Sequence, residues 1–152
     1  MKHYLITLLL AMAPISEVRG AIPYAMANGI SSPLDFLIPV LGNIFIIPWL
    51  LFLLEPFFRW LRRRKALSGL NQWVTTYQQR TVKKVTAYRR ATLLALFLFV
   101  AIPLPSTGAY SGAIAAVVLR IPKKQAFPVI ALGVLTAGVI IYLASLGVIH
   151  FL

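Results

Sequence analysis

The stretch Ala101-Ile102-Pro103-Leu104-Pro105-Ser106-Thr107-Gly108-Ala109-Tyr110-Ser111-Gly112 interrupts an apolar run over residues 91–119. A membrane-crossing helix takes about 20 apolar residues, so this run is too long for one crossing and too short for two with a turn. Pro103 and Pro105 stand near its middle, where proline removes helix hydrogen bonds. Both flanks are basic: Lys83, Lys84, Arg89 and Arg90 come before it, and Arg120, Lys123 and Lys124 after it. Basic flanks mark the cytoplasmic side, so both ends of the run are expected there. The run reads as a re-entrant hairpin that dips to mid-membrane and returns. Irregular backbone at that depth must be buried in protein or line a cavity.

Residues 3–34 pose the same length problem and break in the same way, around Pro14 to Arg19. Their far flank, 31–35, carries no positive charge, which suits the outer side. Between the two hairpins, residues 36–54 are uncharged up to Glu55, and residues 126–149 carry no charge at all. Each is long enough for one transmembrane helix. The expected fold is an all-α integral membrane domain over residues 1–152. Repeat one covers 1–58, a basic linker 59–90 and repeat two 91–152, each repeat being a re-entrant hairpin plus one transmembrane helix.

Composition agrees. The chain is 60% hydrophobic with no cysteine, so disulfides, thiolate metal sites and cysteine nucleophiles are excluded. The net charge of +12 does not point to nucleic acid, because ten of the fifteen Lys and Arg lie in 59–90. With Trp60, Trp73 and apolar Leu67, Leu70, Val74, Tyr77, Val85 and Tyr88 near helical spacing, that linker is expected as an amphipathic cytoplasmic helix on anionic inner-leaflet lipids. Lys2-His3, Tyr4 to Leu10 and Ala11-Met12-Ala13 also fit a signal peptide. Pro14 just after the cut, and the internal repeat, argue against cleavage.

The two halves repeat. Gly20-Ala21 matches Gly108-Ala109, each following a proline-bearing break, and Pro33…Pro39-Val40 matches Pro122…Pro128-Val129. Asp35 lies between the first pair of prolines and Lys123-Lys124 between the second, as expected of inverted halves. Chance alignment of common helix residues is the alternative. Transporters built this way bind near the midplane, where broken helices of both repeats meet.

The run Glu17-Val18-Arg19-Gly20-Ala21-Ile22-Pro23, then Gly42-Asn43, then Pro103 through Gly112, resembles the small multi-drug export protein family over nearly the whole chain. The resemblance implies export of small molecules. The paired hairpin-plus-helix layout is also similar to that of the DedA/VTT membrane proteins, some of which are linked to translocating polyprenyl-phosphate lipids.

Glu17 and Arg19 are the only formally charged side chains between His3 and Leu34. A charge at bilayer centre costs roughly 2.5–3.5 kcal/mol on insertion scales, so the two are the first candidates for a substrate or proton site. Two residues apart, they face different sides of a helix, and each is expected to meet its own partner across the hairpin tips. Glu17 would accept a proton or bind a cation. Arg19 would bind an anionic headgroup or neutralise Glu17. A buried structural pair is the alternative. Ser106 and Thr107 open the second half of hairpin two, where free helix N–H groups suit an anion or ordinary capping.

Asn43 lies mid-span, as a site lining or an interhelical hydrogen bond. Pro14, Gly20, Pro103, Pro105 and Gly108 are the expected hairpin breaks, with Gly108 and Gly112 spaced for close helix packing. Asp35 reads as a helix start, and Glu55 as an i, i+4 partner of Arg59. His3 and His150 have no metal-ligand spacing. No cofactor is implied, and no nucleophile–base, paired-carboxylate or metal arrangement suggests an enzyme.

The expectation is a transporter in a membrane of the prokaryotic inner (cytoplasmic) type, with a homodimer plausible for so small a bundle. It exports amphipathic or drug-like molecules coupled to protons through Glu17. The alternative is a translocase of polyprenyl-phosphate or other anionic lipids using Arg19 and the second hairpin tip.

Overall fold

In a computed structural model of the protein the described residues are 2–63, 89–104 and 107–151, with the backbone alone at 59, 61–63 and 149–151. Most of the linker, together with Pro105 and Ser106, lies outside them. So do the amphipathic helix expected there, the Arg59 side chain and the expected roles of Pro105 and Ser106. Among the described residues there are six helices and no strand: α1 Lys2–Met12, α2 Glu17–Ala27, α3 Leu34–Arg63, α4 Arg89–Ala101, α5 Ala109–Val118 and α6 Lys123–Phe151.

Two of these are long and apolar enough to cross a membrane, over Leu34–Phe58 and Lys123–Val148. Both outrun the uncharged cores expected from sequence. Asp35 fits within the first turn of α3 and Lys123 begins α6, since a charge at a helix end reaches the interface. Pro39, Pro48 and Pro56 lie inside α3, and Pro128 inside α6. Prolines in long apolar helices are tolerated where neighbouring groups satisfy the freed carbonyls.

Helices α1 and α2 fold back on each other, with His3 Nδ1 3.2 Å from the Tyr24 hydroxyl at the open end. Helices α4 and α5 do the same. Arg89 at the start of α4 reaches Gln125 just beyond the open end of that pair, at 2.9 Å. Helices α3 and α6 run antiparallel, since Glu55 late in α3 pairs with Lys123 opening α6 at 2.5 Å. At their other ends Phe36 stacks edge-on against Tyr142. Packing then crosses over: α2 lies on α6, and α5 lies on α3.

Small residues make these approaches close. Ala11, Ala21, Ala25, Ala109, Ala113, Ala116, Ala126 and Ala137 are all buried, around Ile22, Ile47, Val100, Ile130 and Val134. That is how helices pack where lipid removes the hydrophobic drive between them. Gly133 is required by the α4–α6 contact, because a Cβ there would meet Val100 Cγ1 at 2.8 Å. Outward, Phe52 and Leu53 are 67% and 72% exposed, a surface suited to lipid rather than to water.

Candidate functional site

The turns of the two short-helix pairs meet. The first turn, residues 13–16, contains Pro14 and opens α2 at Glu17, whose backbone is left-handed at φ 48°. A non-glycine residue in that region costs roughly 1–2 kcal/mol, and here it directs the side chain at the start of α5. Glu17 Oε1 accepts a hydrogen bond from the Tyr110 amide at 3.3 Å, with the Ala109 amide beside it. The N-terminus of a helix holds an anion through free N–H groups and its dipole.

Gly108 makes room for this contact. It caps α5 at φ 154°, and a Cβ there would lie 1.8 Å from Glu17 Oε2. The carboxylate therefore fills the place where any other residue would carry a side chain. The expected packing role belongs to Gly112, where a Cβ would meet Val100 Cγ2 at 2.6 Å.

Arg19, one half-turn further along α2, spans the same junction. Its Nη1 donates to the Leu104 carbonyl and its Nη2 to the Thr107 carbonyl, with Thr107 Oγ1 2.7 Å from Nη2. The single Thr107 hydroxyl proton has two acceptors within reach in its own turn, the Ile102 and Leu104 carbonyls at 2.8 and 2.9 Å. The Ile102 and Leu104 carbonyls also accept from the Leu104 and Thr107 amides, at 2.8 and 3.1 Å. Glu17 and Arg19 thus each meet their own partner on the second turn.

The junction is tied to α1 as well. The last carbonyls of a helix have no partner within it. Here Tyr110 Oη donates to the Met12 carbonyl at 2.5 Å and Asn43 Nδ2 to the Ala11 carbonyl at 3.0 Å. Asn43 is fully buried, with its Oδ1 unpartnered among the described residues. It ties α3 to α1. Gly20 is not the break itself: it sits inside α2, where a Cβ would meet Ser16 Oγ at 2.2 Å. Tyr110 was missed by sequence reasoning. Its position two residues after Gly108, at a helix start, was the available signal.

Beside the junction lies a cleft of ≈ 510 Å³ whose walls are α2 (Arg19, Pro23, Met26), Pro103 and the second half of α6 (Ile140, Ile141, Ala144). Arg19 is its one charged lining residue, and the buried Arg19 Nε has no hydrogen-bond partner among the described residues. The cleft offers an apolar bed whose polar lining residues, among those described, are Arg19 and Ser145.

Among the described residues, an all-α fold with two helices long and apolar enough to cross a membrane, and a charged junction beside an apolar cleft, fits a small membrane transport protein. Residues 17–140 match the family model described as "Putative small multi-drug export protein", and the chain belongs to that family. No curated protein and no solved structure matches it. The matched region begins at Glu17 itself, just after the first turn, and includes the second turn of the junction.

Proposed function

We propose that the protein exports amphipathic, drug-like molecules across the membrane, coupled to protons through Glu17. The observation that carries this is the seating of the Glu17 carboxylate on the α5 N-terminus, in the space left by Gly108. Such a contact depends on negative charge: it is worth about 0.3–1 kcal/mol when exposed and up to about 2 when partly buried. Protonation of Glu17 removes that term and loosens α2 from α5. Arg19 and Pro103, on the two sides of the junction, also border the cleft. Loosening the junction therefore changes the cleft, which links proton binding to substrate access.

In this reading the two helix pairs are re-entrant hairpins of an inverted repeat. The support is a matched order of two short helices and one long one in each half, of 11, 11 and 30 residues and then 13, 10 and 29. The reciprocal packing of α2 on α6 and of α5 on α3 is further support, as is the meeting of the start of α2 with the second turn, Glu17 at Tyr110 and Arg19 at Thr107. The layout is DedA-like, without enzymatic chemistry. The protein sits in a prokaryotic inner membrane with 59–90 on the cytoplasmic face, works in contact with anionic lipid and pairs as a homodimer.

The test is flux in proteoliposomes under an inward proton gradient, with ethidium as the lipophilic cation. Wild type should show proton-driven movement, and Glu17→Gln should abolish it. Retained proton-driven flux in that variant would sink the mechanism.

A second reading, translocation of an anionic lipid such as a polyprenyl phosphate, is favoured by Arg19 as the one charge among the described residues that line the apolar cleft. Flipping of a fluorescent polyprenyl phosphate that is lost in Arg19→Gln, with no ethidium flux in wild type, would select it.

A further inference from the structure

At the opposite end of the α4–α5 pair, away from Glu17 and Arg19, a second cavity of ≈ 270 Å³ is lined by Arg89, Thr92, Leu93, Arg120, Ile121, Pro122 and Gln125. Two guanidinium groups and no carboxylate line it. The whole chain has just three carboxylates: Glu17 is at the junction, Glu55 pairs with Lys123, and Asp35 lies at the start of α3.

The two arginines are placed by different means. Gln125 Oε1 accepts from Arg89 Nε at 2.9 Å, which fixes the guanidinium plane and leaves the terminal nitrogens as a two-pronged donor. Arg120 stands just past the end of α5 with φ 54°, and the amides of Arg120 and Ile121 donate back to Val117 and Ala116 carbonyls at 3.2 and 2.8 Å. This is the left-handed position after a helix C-terminus that glycine ordinarily fills. An arginine there carries a backbone cost that glycine avoids. Residues held in such conformations concentrate at ligand sites.

We propose that this cavity binds a phosphate group, gripped between Arg89 and Arg120, with Thr92 and Gln125 as its polar edge. Guanidinium forks match phosphate oxygens two at a time. Leu93, Ile121 and Pro122 supply an apolar floor, which suits the glycerol and first methylenes of an anionic phospholipid. The cavity lies at the end of the bundle that carries the Glu55–Lys123 pair and the basic flanks of α4 and α6, where anionic headgroups gather. The site does not depend on the exporter reading.

The test is thermal unfolding of the full chain in dodecyl maltoside, followed by tryptophan fluorescence, with dioleoyl phosphatidylglycerol and inorganic phosphate titrated separately. Wild type should gain Tm with one or both. A gain with the lipid alone assigns the phosphate to a headgroup, and a matching gain with inorganic phosphate assigns it to free phosphate; either supports the site. Arg120→Gly is the decisive variant because glycine suits the local backbone at φ 54°. It and Arg89→Gln should each weaken the apparent affinity roughly tenfold or more, while Lys2→Gln should leave it unchanged. An undiminished gain in both arginine variants would overturn the proposal. So would no gain in wild type, or a loss in Lys2→Gln equal to theirs.

Discussion

The carboxylate of Glu17 and the missing side chain of Gly108 are complementary: a Cβ at residue 108 would lie 1.8 Å from Glu17 Oε2. Residues 91 positions apart in sequence thus share one small volume, and through it the turn of the first helix pair locks onto the start of α5. Replacing Gly108 with alanine should expel the carboxylate and strain a backbone at φ 154°. Overpacking of this kind costs typically about 1–3 kcal/mol. Thermal unfolding in detergent should show a loss in that range, and an unchanged Tm would mean that the seat is dispensable.

Arg19 should not tolerate lysine. Its two terminal nitrogens serve the Leu104 and Thr107 carbonyls together, and a single ammonium on a flexible stem cannot reproduce that fork. Arg19→Lys is expected to destabilise by about 1–3 kcal/mol, with amide exchange accelerating around residues 102–108. Equal protection in wild type and variant would contradict the bridging role.

Tyr110→Phe and Asn43→Ala should each be mild. Both remove a hydrogen bond to the end of α1, at Met12 and Ala11, and side-chain hydrogen bonds between membrane helices average roughly 0.6 kcal/mol. Asn43→Ala also removes an unpartnered buried oxygen, which offsets part of the loss. Because both ties hold adjacent carbonyls, their effects should couple rather than add. Thermal unfolding of the double variant checks this.

Much of this arrangement is legible in the sequence, and for identifiable reasons. The long helices follow from uncharged runs whose length matches a bilayer, and the two pairs of short helices from runs that fit neither one crossing nor two. Glu17 and Arg19 stand out because charge in an apolar stretch is costly. Their partners do not stand out. Arg19 meets backbone carbonyls and Glu17 meets backbone amides, groups every residue carries, so residue type gives no sign of them. Gly108 looked like a helix-packing glycine because its spacing to Gly112 fits that role equally well. Arg120 gave no warning either, since a left-handed backbone at arginine is dictated by the turn it closes.

In the proposed function, protonation of Glu17 releases the junction between α2 and α5. The chain has no cysteine, so spin labels can be placed cleanly at Ile15 and Ile102, 98% and 48% exposed on the two turns. Electron–electron distance measurements on the labelled protein in liposomes at pH 8 and pH 5 test the claim most directly. Proton release of the junction should give one short-distance population at pH 8, a second, longer one at pH 5, and the longer one at both pH values in Glu17→Gln. Identical distributions at both pH values and in the variant would contradict it.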